Sequence, residues 1–308
     1  MPVPPFPPEG QDGLSLLRDA RVARSGLTSQ LLEARMPDTT DRTIASLEGT
    51  SQLREATMSS AIRALHLPSG SRGLDIGCGL GDQVLLLADA TRPNGRVTGL
   101  DISRPLLDYA RRRVRKSPLA DFIEFADGDM EALPFAQGSF DWAWSVDCVG
   151  YPTGELLPIL QGICRVVRPG GVVALLAWTS QQLLPGHEML EARLNANCSS
   201  YAPFYDARPP RAHFARALHS FAQAGLAEAT CATFNGLVQA PIRPEIRHAI
   251  ALLFEMLWGQ SIAQASRPEI EEFRRLCSPT SPDFIVDLPD YWGFFTYTMF
   301  TGRVTGSS

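Results

Sequence analysis

The apolar positions in the middle of the chain switch repeatedly between short continuous runs and helical spacing. Short apolar runs bounded by glycine or polar residues predict buried strands, and longer segments with apolar residues every three or four positions predict amphipathic helices. The predicted strands are, in chain order, RGLDIG (72–77), GRVTGLDI (95–102), DFIEFADG (121–128), FDWAWSV (140–146), GVVALLAW (171–178), AEATCATFNGLV (227–238) and YWGFFTYTMFTGRV (291–304). Because strands alternate with helices, we expect a parallel sheet with right-handed crossovers and helices on both faces.

A helical region precedes the first strand. Residues 1–13 are proline-rich and predict a disordered tail. Residues 14–67 predict an N-terminal helical cap of two amphipathic helices, Leu14–Arg35 and Ser46–Leu67, separated by the polar break MPDTTDRT. The cap is therefore expected to lie outside the alternating part of the chain.

Two insertions interrupt the alternation after the fifth strand. They fall at about 180–210 and 240–290, within a domain that spans residues 68–308, and we expect them to form a lid over a substrate. In the second insertion, Pro244 to Trp258 predicts a helix closed by Gly259. Ser266 and Glu269 have the spacing of a capping box, which predicts the start of another helix.

Composition limits the class of protein. With 308 residues, 44% of them apolar, the chain can form one α/β domain with insertions and a sizeable core. A net charge of −5 argues against a nucleic-acid partner. No stretch approaches the ~18 apolar residues of a membrane span, and the start MPVPPFPPEG lacks the regions of a secretion signal. We therefore expect a cytoplasmic protein without membrane insertion; no pattern predicts an oligomeric state.

Two residue types narrow the chemistry further. The six cysteines are scattered with no Cys-x-x-Cys pair, which favours reduced, buried thiols over a zinc site or a redox dithiol, so no metal is expected. Lys116 is the only lysine, which leaves no candidate for a Schiff-base or P-loop lysine.

The segment GLDIGCGLGDQ (73–83) places glycines at every second position between a strand and a helix. Bare backbone there lets a ligand approach the chain closely, although a plain glycine-rich loop has the same composition. Asp101 ends the second strand twenty residues after Gly81, where an acid can accept both hydroxyls of a ribose. That spacing also suits a nicotinamide enzyme, but the third glycine of its fingerprint is missing and Asp82 would repel pyrophosphate. Asp75 likewise suits a cationic or N–H-donating ligand.

Five motifs in order, LDIGCGLG, GLDIS, ADGDMEALPF, SFDWAWSVD and VVRPGGVVALL, resemble those of class I S-adenosylmethionine-dependent methyltransferases. The chain is most similar to the small-molecule branch that includes ubiquinone/menaquinone and natural-product methyltransferases. This resemblance implies a Rossmann-like, seven-stranded, mostly parallel sheet with an antiparallel last strand, and S-adenosyl-L-methionine as the cofactor. It also implies transfer of a methyl group, by in-line displacement, to an O, N, C or S atom of a small, apolar or aromatic acceptor.

The resemblance also implies a role for each cofactor-binding position. Asp75 would hold the amino end of the methionine, Asp101 would take the ribose hydroxyls and Ile102 would pack on the adenine. Asp129 would meet the adenine amine, although an acid beside a glycine also suits a plain turn. The remaining positions implied at the cofactor are Gly77, Cys78, Gly79, Gly81, Gly128, Met130 and Ser145.

Three residues are candidates for action on the acceptor. Asp147 and Tyr151 lie in SVDCVGY, the segment that faces the reactive methyl group in the family. Asp147 is either a general base or a loop acid that hydrogen-bonds its own backbone, and Tyr151 either orients substrate or packs. His187 follows the fifth strand at the edge where open α/β sheets bind ligands, and is either a second base or an exposed loop residue.

Aromatic residues cluster in the insertions and next to them, where they either wall an apolar acceptor pocket or form the core of the insertions themselves. They are Tyr201, Phe204, Tyr205, Trp258, Tyr291 and Trp292. Two other functions remain open at this point: a nicotinamide-dependent oxidoreductase, and a protein that binds S-adenosylmethionine without catalysis.

Overall fold

The computed structural model describes residues 36–151, 155–196, 212–259, 262 and 265–306, with side chains from residue 41 onward. The chain divides into two units, residues 1–45 and 46–308. The predicted tail and the helix predicted at Leu14–Arg35 lie outside the described residues, as does the middle of the first insertion.

The helices of the described residues begin and end as follows: α1 Met36–Ala64, α2 Asp82–Ala90, α3 Arg104–Val114, α4 Leu156–Val166, α5 Glu188–Ala196, α6 Ala217–Gln223, α7 Pro244–Trp258 and α8 Arg267–Cys277. The predicted break at MPDTTDRT is wrong, because these residues form the start of α1. Pro37 lies in the first turn of that helix, where an N–H group has no intrahelical partner and proline is tolerated.

The strands are β1 Arg72–Ile76, β2 Arg96–Asp101, β3 Ile123–Asp127, β4 Phe140–Val146, β5 Val167–Gln182, β6 Leu226–Gln239 and β7 Trp292–Val304. They form one seven-stranded sheet in the order β3-β2-β1-β4-β5-β7-β6. Strand β7 runs antiparallel to both of its neighbours, whereas the pairs from β3 to β5 are parallel. The predicted fold class is confirmed, including the antiparallel last strand.

Two apolar clusters cover the two faces of the sheet, and β5 contributes to both. Ala174, Leu176 and Trp178 belong to one cluster, together with residues of α1, α2 and α3. Val173, Leu175 and Ala177 belong to the other, with residues of α4 and α6. Side chains alternate between the faces of a strand, so a run apolar at every position is the pattern of a strand buried on both sides. Each large buried apolar side chain contributes about 1.5–3 kcal/mol to stability.

Three strands extend beyond the carboxyl end of β4. Val146, the last residue of β4, pairs with Leu176, whereas β5 continues to Gln182 and pairs there with β7. Apolar residues of α5, α7 and α8 pack at this end in the same cluster as α1. The sheet is therefore taller at this carboxyl edge, and we call the extending strand ends, residues 180–182 of β5, 235–239 of β6 and 292–296 of β7, the raised wall.

The predicted capping box of α8 is present, with the Ser266 N–H donating to Glu269 Oε2 at 2.8 Å.

Candidate cofactor and acceptor site

The glycine turn after β1 uses left-handed backbone at each of its glycines. The φ angles of Gly77, Gly79 and Gly81 are 74°, 51° and 78°. A Cβ atom at Gly77 would lie 2.3 Å from Cys148 Sγ, so Gly77 is fixed by packing as well as by conformation. A Cβ atom at Gly79 would meet no atom within 4 Å, so the chain is open to a ligand at that point.

Asp75 lies in β1 just before this turn and is only 2% exposed. Its Oδ2 is buried and has no hydrogen-bond partner among the described residues. Burial, reinforced by the neighbouring carboxyls of Asp101 and Asp82, raises the pKa of the Asp75 carboxyl to about 8. Such a carboxyl favours a ligand that brings a positive charge or a hydrogen-bond donor.

Asp101 ends β2 and organises the turn from the neighbouring strand. Its Oδ2 accepts the N–H of Gly79 at 2.9 Å and its Oδ1 accepts the N–H of Ser103 at 2.8 Å. Each carboxylate oxygen has two lone pairs, so both can accept a further hydrogen bond from a ligand. The next residue, Ile102, is 70% exposed, which places an apolar surface beside this acid.

The segment after β3 lies beside Asp101, because the Gly128 N–H donates to the Asp101 carbonyl oxygen at 3.2 Å. Asp129 is exposed and its Oδ1 accepts the Glu131 N–H at 2.9 Å, so it caps a short 3-10 helix. Met130 is half-buried, with its sulfur 3.9 Å from Cys148 Sγ. The structure thus joins the end of β3 to the loop after β4.

Two of the predicted cofactor residues have buried side chains that already make contacts within the protein. A Cβ atom at Gly99 would lie 2.9 Å from Cys78 Sγ, so the Cys78 thiol points into the core. The Ser145 hydroxyl donates to the Ile76 carbonyl oxygen at 2.9 Å and accepts the Val149 N–H at 3.3 Å. Neither residue presents a free side-chain donor to a ligand, and their assignment to the cofactor stays a prediction.

Asp147, which follows β4 directly, has φ +48° and is bonded on both oxygens. The Trp178 N–H donates to Oδ1 at 2.8 Å, and the Tyr297 hydroxyl donates to Oδ2 at 2.9 Å. Arg54 Nη1 lies 3.9 Å from Oδ2. Burial raises the pKa of the Asp147 carboxyl, while Arg54 and the two donors oppose that rise. The described bonds thus run to β5, β7 and α1, so Asp147 links the loop after β4 to three elements.

Tyr151 and His187, the other acceptor-side candidates, lie in different surroundings. The Tyr151 ring packs edge-on against Phe214, with the ring centroids 6.0 Å apart. His187 Nδ1 lies 3.1 Å from Glu272 Oε1 of α8, and the His187 side chain is 31% exposed. The structure therefore places His187 against an insertion helix. The catalytic roles of Tyr151, His187 and Asp147 stay predictions.

Arg54 and Tyr297 belong to this site but were not predicted from the sequence. Arg54 is a cation on the face of α1 that buries Thr50 and Met58, and a break in a helix's apolar stripe is the signal that marks such a residue. Tyr297 is 1% exposed within a strand rich in aromatic residues, and no pattern separates it from its packing neighbours.

The aromatic residues of the insertions divide by exposure. Trp258 and Tyr291 are 0% and 1% exposed and pack in the core of the insertions, and Tyr291 also lines a surface cavity together with Trp292. Trp292 is 45% exposed. Tyr201, Phe204 and Tyr205 lie outside the described residues.

The described residues contain neither a metal-binding cluster nor a helix that could cross a membrane. No cluster of three or more histidine, cysteine, aspartate or glutamate side chains is arranged to hold a metal ion there. None of the helices in the described ranges combines the length and the apolar character that crossing a membrane requires.

Comparison with known proteins returned a family profile described as "Methyltransferase domain", which matches residues 74–171. The demethylmenaquinone methyltransferase of Lactococcus lactis is 39% identical over 115 residues, which is 36% of this chain and 43% of that protein. The enzyme of the same name from Lysinibacillus sphaericus is 32% identical over 142 residues, which is 45% of this chain and 57% of that protein. The chain thus spans about half the length of these curated relatives.

A solved structure shows the same fold over most of the chain. It is one chain of the complex between the Haloferax volcanii Trm112 methyltransferase activator and a candidate methyltransferase, with a TM-score of 0.53 and 20% identity. The likeness covers 88% of this chain and 98% of that one.

Proposed function

We propose that this chain, which matches a methyltransferase-domain profile over residues 74–171, transfers a methyl group from S-adenosylmethionine to a small organic acceptor. The profile match supports the family predicted from the motifs and the fold agrees with it, and S-adenosylmethionine is the cofactor of that family. The nature of the acceptor and the roles of individual residues are part of the proposal.

The observation that carries the proposal is the buried Asp75 carboxyl beside an open glycine turn. The methionine end of S-adenosylmethionine carries an ammonium group, which is the donor that Asp75 Oδ2 lacks. The open backbone at Gly79 lets the cofactor lie close to the turn. The residues present therefore fit this cofactor.

The nucleoside end of the cofactor fits the neighbouring strand ends. Asp101 retains lone pairs for the two ribose hydroxyls, and the exposed Ile102 offers an apolar surface to the adenine. Asp129 would accept the adenine amine, and Met130 would cover the ring. The Glu131 N–H donates to Asp129 Oδ1. The Asp129 carboxylate has lone pairs left, so it can cap its 3-10 helix and accept the adenine amine at the same time.

The acceptor proposed here is a small, apolar or aromatic molecule. The matched relatives are named for a quinone substrate, and the raised wall of β5, β6 and β7 stands at the edge where α/β sheets bind ligands. The helices α5, α7 and α8 pack at that end, which supports a lid made by the insertions at about 180–210 and 240–290. A lid of this kind would exclude water from the acceptor.

The bound cofactor supplies a methyl group activated by a positively charged sulfur. The chain contributes by orienting the acceptor for in-line attack and by excluding water. Intramolecular reactions whose reacting groups are aligned show that orientation alone gives a large gain in rate. Asp147, Tyr151 and His187 are the candidates to orient the acceptor or take its proton. A general base contributes about 10²-fold or more where the acceptor is a weak acid such as a phenol.

Calorimetric titration tests the cofactor assignment. The chain should bind S-adenosylhomocysteine and not NADH, and Asp101→Ala should weaken that binding by about 10- to 100-fold, the loss expected for hydrogen bonds to a charged group. Asp89→Ala, an exposed acid at the end of α2, is the matched control and should bind normally. Binding of NADH without S-adenosylhomocysteine would overturn the proposal.

Turnover tests the catalytic part. The tritiated methyl group of labelled S-adenosylmethionine should appear in a short-chain demethylmenaquinol, the reduced form of demethylmenaquinone, or in another hydroquinone acceptor supplied in its reduced form. Normal binding of S-adenosylhomocysteine with no transfer to any acceptor in a broad panel would favour a protein that binds the cofactor without catalysis.

A further inference from the structure

Three buried side-chain polar atoms lack a hydrogen-bond partner among the described residues, and two of them belong to charged groups. They are Asp75 Oδ2, Arg54 Nε and the neutral Trp144 Nε1. Buried polar atoms without partners are rare, because each costs the free energy of its lost hydration. A buried acceptor without a donor and a buried donor without an acceptor point to a ligand that supplies both.

Arg54 faces the interior of the protein although it is a cation. The inward face of α1 consists otherwise of small, apolar or hydroxyl side chains: Thr50, Leu53, Thr57, Met58, Ala61 and Ile62. The Arg54 side chain is 17% exposed. A guanidinium held on such a face needs partners for its five N–H donors.

The described partners satisfy Arg54 only in part. Nη2 lies 3.4 Å from the Thr50 hydroxyl, which is a long hydrogen bond. Nη1 lies 3.9 Å from Asp147 Oδ2, which is within ion-pair range but beyond hydrogen-bond distance. The Tyr297 hydroxyl is a third neighbour that hydrogen-bonds to the guanidinium. The guanidinium is thus held by Thr50, Asp147 and Tyr297, while its Nε donor has no partner among the described residues.

The unpartnered donor and the unpartnered acceptor share a charged neighbour. Ser51 and Glu55, on either side of Arg54 in α1, line one cavity with Asp82 at the start of α2, and Asp75 precedes the turn that leads into the same helix. Asp82 is also a charged neighbour of both groups. An α-amino acid group carries an ammonium and a carboxylate on one carbon. Its ammonium would meet Asp75 and its carboxylate would meet Arg54.

We propose that Arg54 binds the carboxylate at the methionine end of the cofactor, and that Asp147 and Tyr297 are positioning residues that hold Arg54 for this purpose. The proposal rests on the proposed function, because it takes S-adenosylmethionine as the ligand. It gives the half-buried Asp147 a role in binding the donor, in place of a role in removing a proton.

Electrostatics gives the reason for a cation at this point. Asp82 and Asp101 lie at the turn and would repel the carboxylate of an amino acid. Arg113 pairs with Asp82 at 2.5 Å and so offsets one of these charges. Arg54 is a second cation near Asp82 and offers the planar pair of donors that matches a carboxylate.

Two ligands that differ only in the carboxylate test the proposal. Calorimetry compares S-adenosylhomocysteine with S-adenosyl-3-thiopropylamine, which keeps the amine, sulfur, ribose and adenine but lacks the carboxylate. The wild-type protein should prefer S-adenosylhomocysteine by about 10- to 100-fold, as expected for charge-assisted hydrogen bonds. Arg54→Gln should remove most of this preference, and Arg54→Lys should keep part of it. Arg63→Gln, an exposed arginine on the same helix, is the matched control and should keep all of it.

The preference between the two ligands also separates positioning from general stability. Tyr297→Phe and Asp147→Asn should each lower the preference, even where the thermal midpoint changes little. Equal loss of affinity for both ligands in the Arg54 variants would mean that Arg54 has only a structural role, and would overturn the proposal. A wild-type protein that binds both ligands equally would also overturn it, whereas a wild-type protein that binds neither would contradict the proposed function itself.

Discussion

Replacing Asp75 with asparagine should stabilise the protein, and the gain should grow as the pH rises. Asp75 is 2% exposed and its Oδ2 has no partner among the described residues. Burial with Asp101 and Asp82 nearby raises its pKa from 3.8 to about 8. Asparagine keeps the shape of the side chain and removes the charge, so the variant does not have to bury an ionised carboxylate.

The direction of the pH dependence follows from which state holds the proton. Between pH 3.8 and about 8 the folded protein keeps the Asp75 proton while the unfolded chain has lost it, so the free energy of unfolding falls as the pH rises. The full difference in pKa corresponds to about 6 kcal/mol. This is an upper limit, because a small rearrangement that hydrates the carboxylate relieves part of the cost.

Urea unfolding at several pH values measures the effect. Relative to wild type, Asp75→Asn should be nearly neutral at about pH 4 and more stable by roughly 2–4 kcal/mol at about pH 8.5. Asp121→Asn, an exposed acid before β3, is the control and should show no such trend. The other buried groups are unchanged between wild type and variant, so their titration cancels in the difference. A difference that stays constant over this range of pH would refute the reasoning.

Two further substitutions test the packing of the site. Gly77→Ala should destabilise the protein by about 1–3 kcal/mol more than Gly170→Ala. Both glycines have a φ near +75°, but only a Cβ at Gly77 would clash, because it would lie 2.3 Å from Cys148 Sγ. Equal thermal midpoints of the two variants would contradict this prediction. Glu191→Ala should cost about 2–5 kcal/mol in urea unfolding, because Glu191 accepts the N–H groups of Leu183 and Leu184 where β5 meets α5, and Glu191→Gln, which keeps an acceptor, should cost less.

The cofactor half of the site could be predicted because its signals are local. Glycines with positive φ at 77, 79 and 81 are required by the turn itself, and an acid at the end of β2 is placed by the length of one helix and one strand. The capping box of α8 is likewise contained in four consecutive residues. Such features need no knowledge of distant parts of the chain.

The polar segment TSQQ (179–182) shows why the raised wall was not predicted. These residues look like a loop, yet they form the end of β5, because their side chains find partners that are distant in sequence. The Thr179 hydroxyl lies 2.9 Å from that of Thr298, and the Gln181 amide donates to Asn195 Oδ1 at 2.8 Å. Polar residues join a strand interior when tertiary contacts satisfy them, and periodicity does not report those contacts.

The bonding of Asp147 bears on whether methyl transfer here needs a general base. A base must present an available lone pair and a pKa near the working pH, whereas hydrogen bonds and a nearby cation stabilise the carboxylate and make it a weaker base. Asp147 accepts from Trp178 and Tyr297 and lies near Arg54, so both of its oxygens already have partners within the protein, although burial raises the pKa of the carboxyl. Its left-handed backbone fits the same interpretation, because a strained residue is kept where the surrounding contacts fix it. Methyl transfer draws mainly on orientation, and a carboxylate that positions Arg54 at the donor would serve the reaction without exchanging a proton with the acceptor.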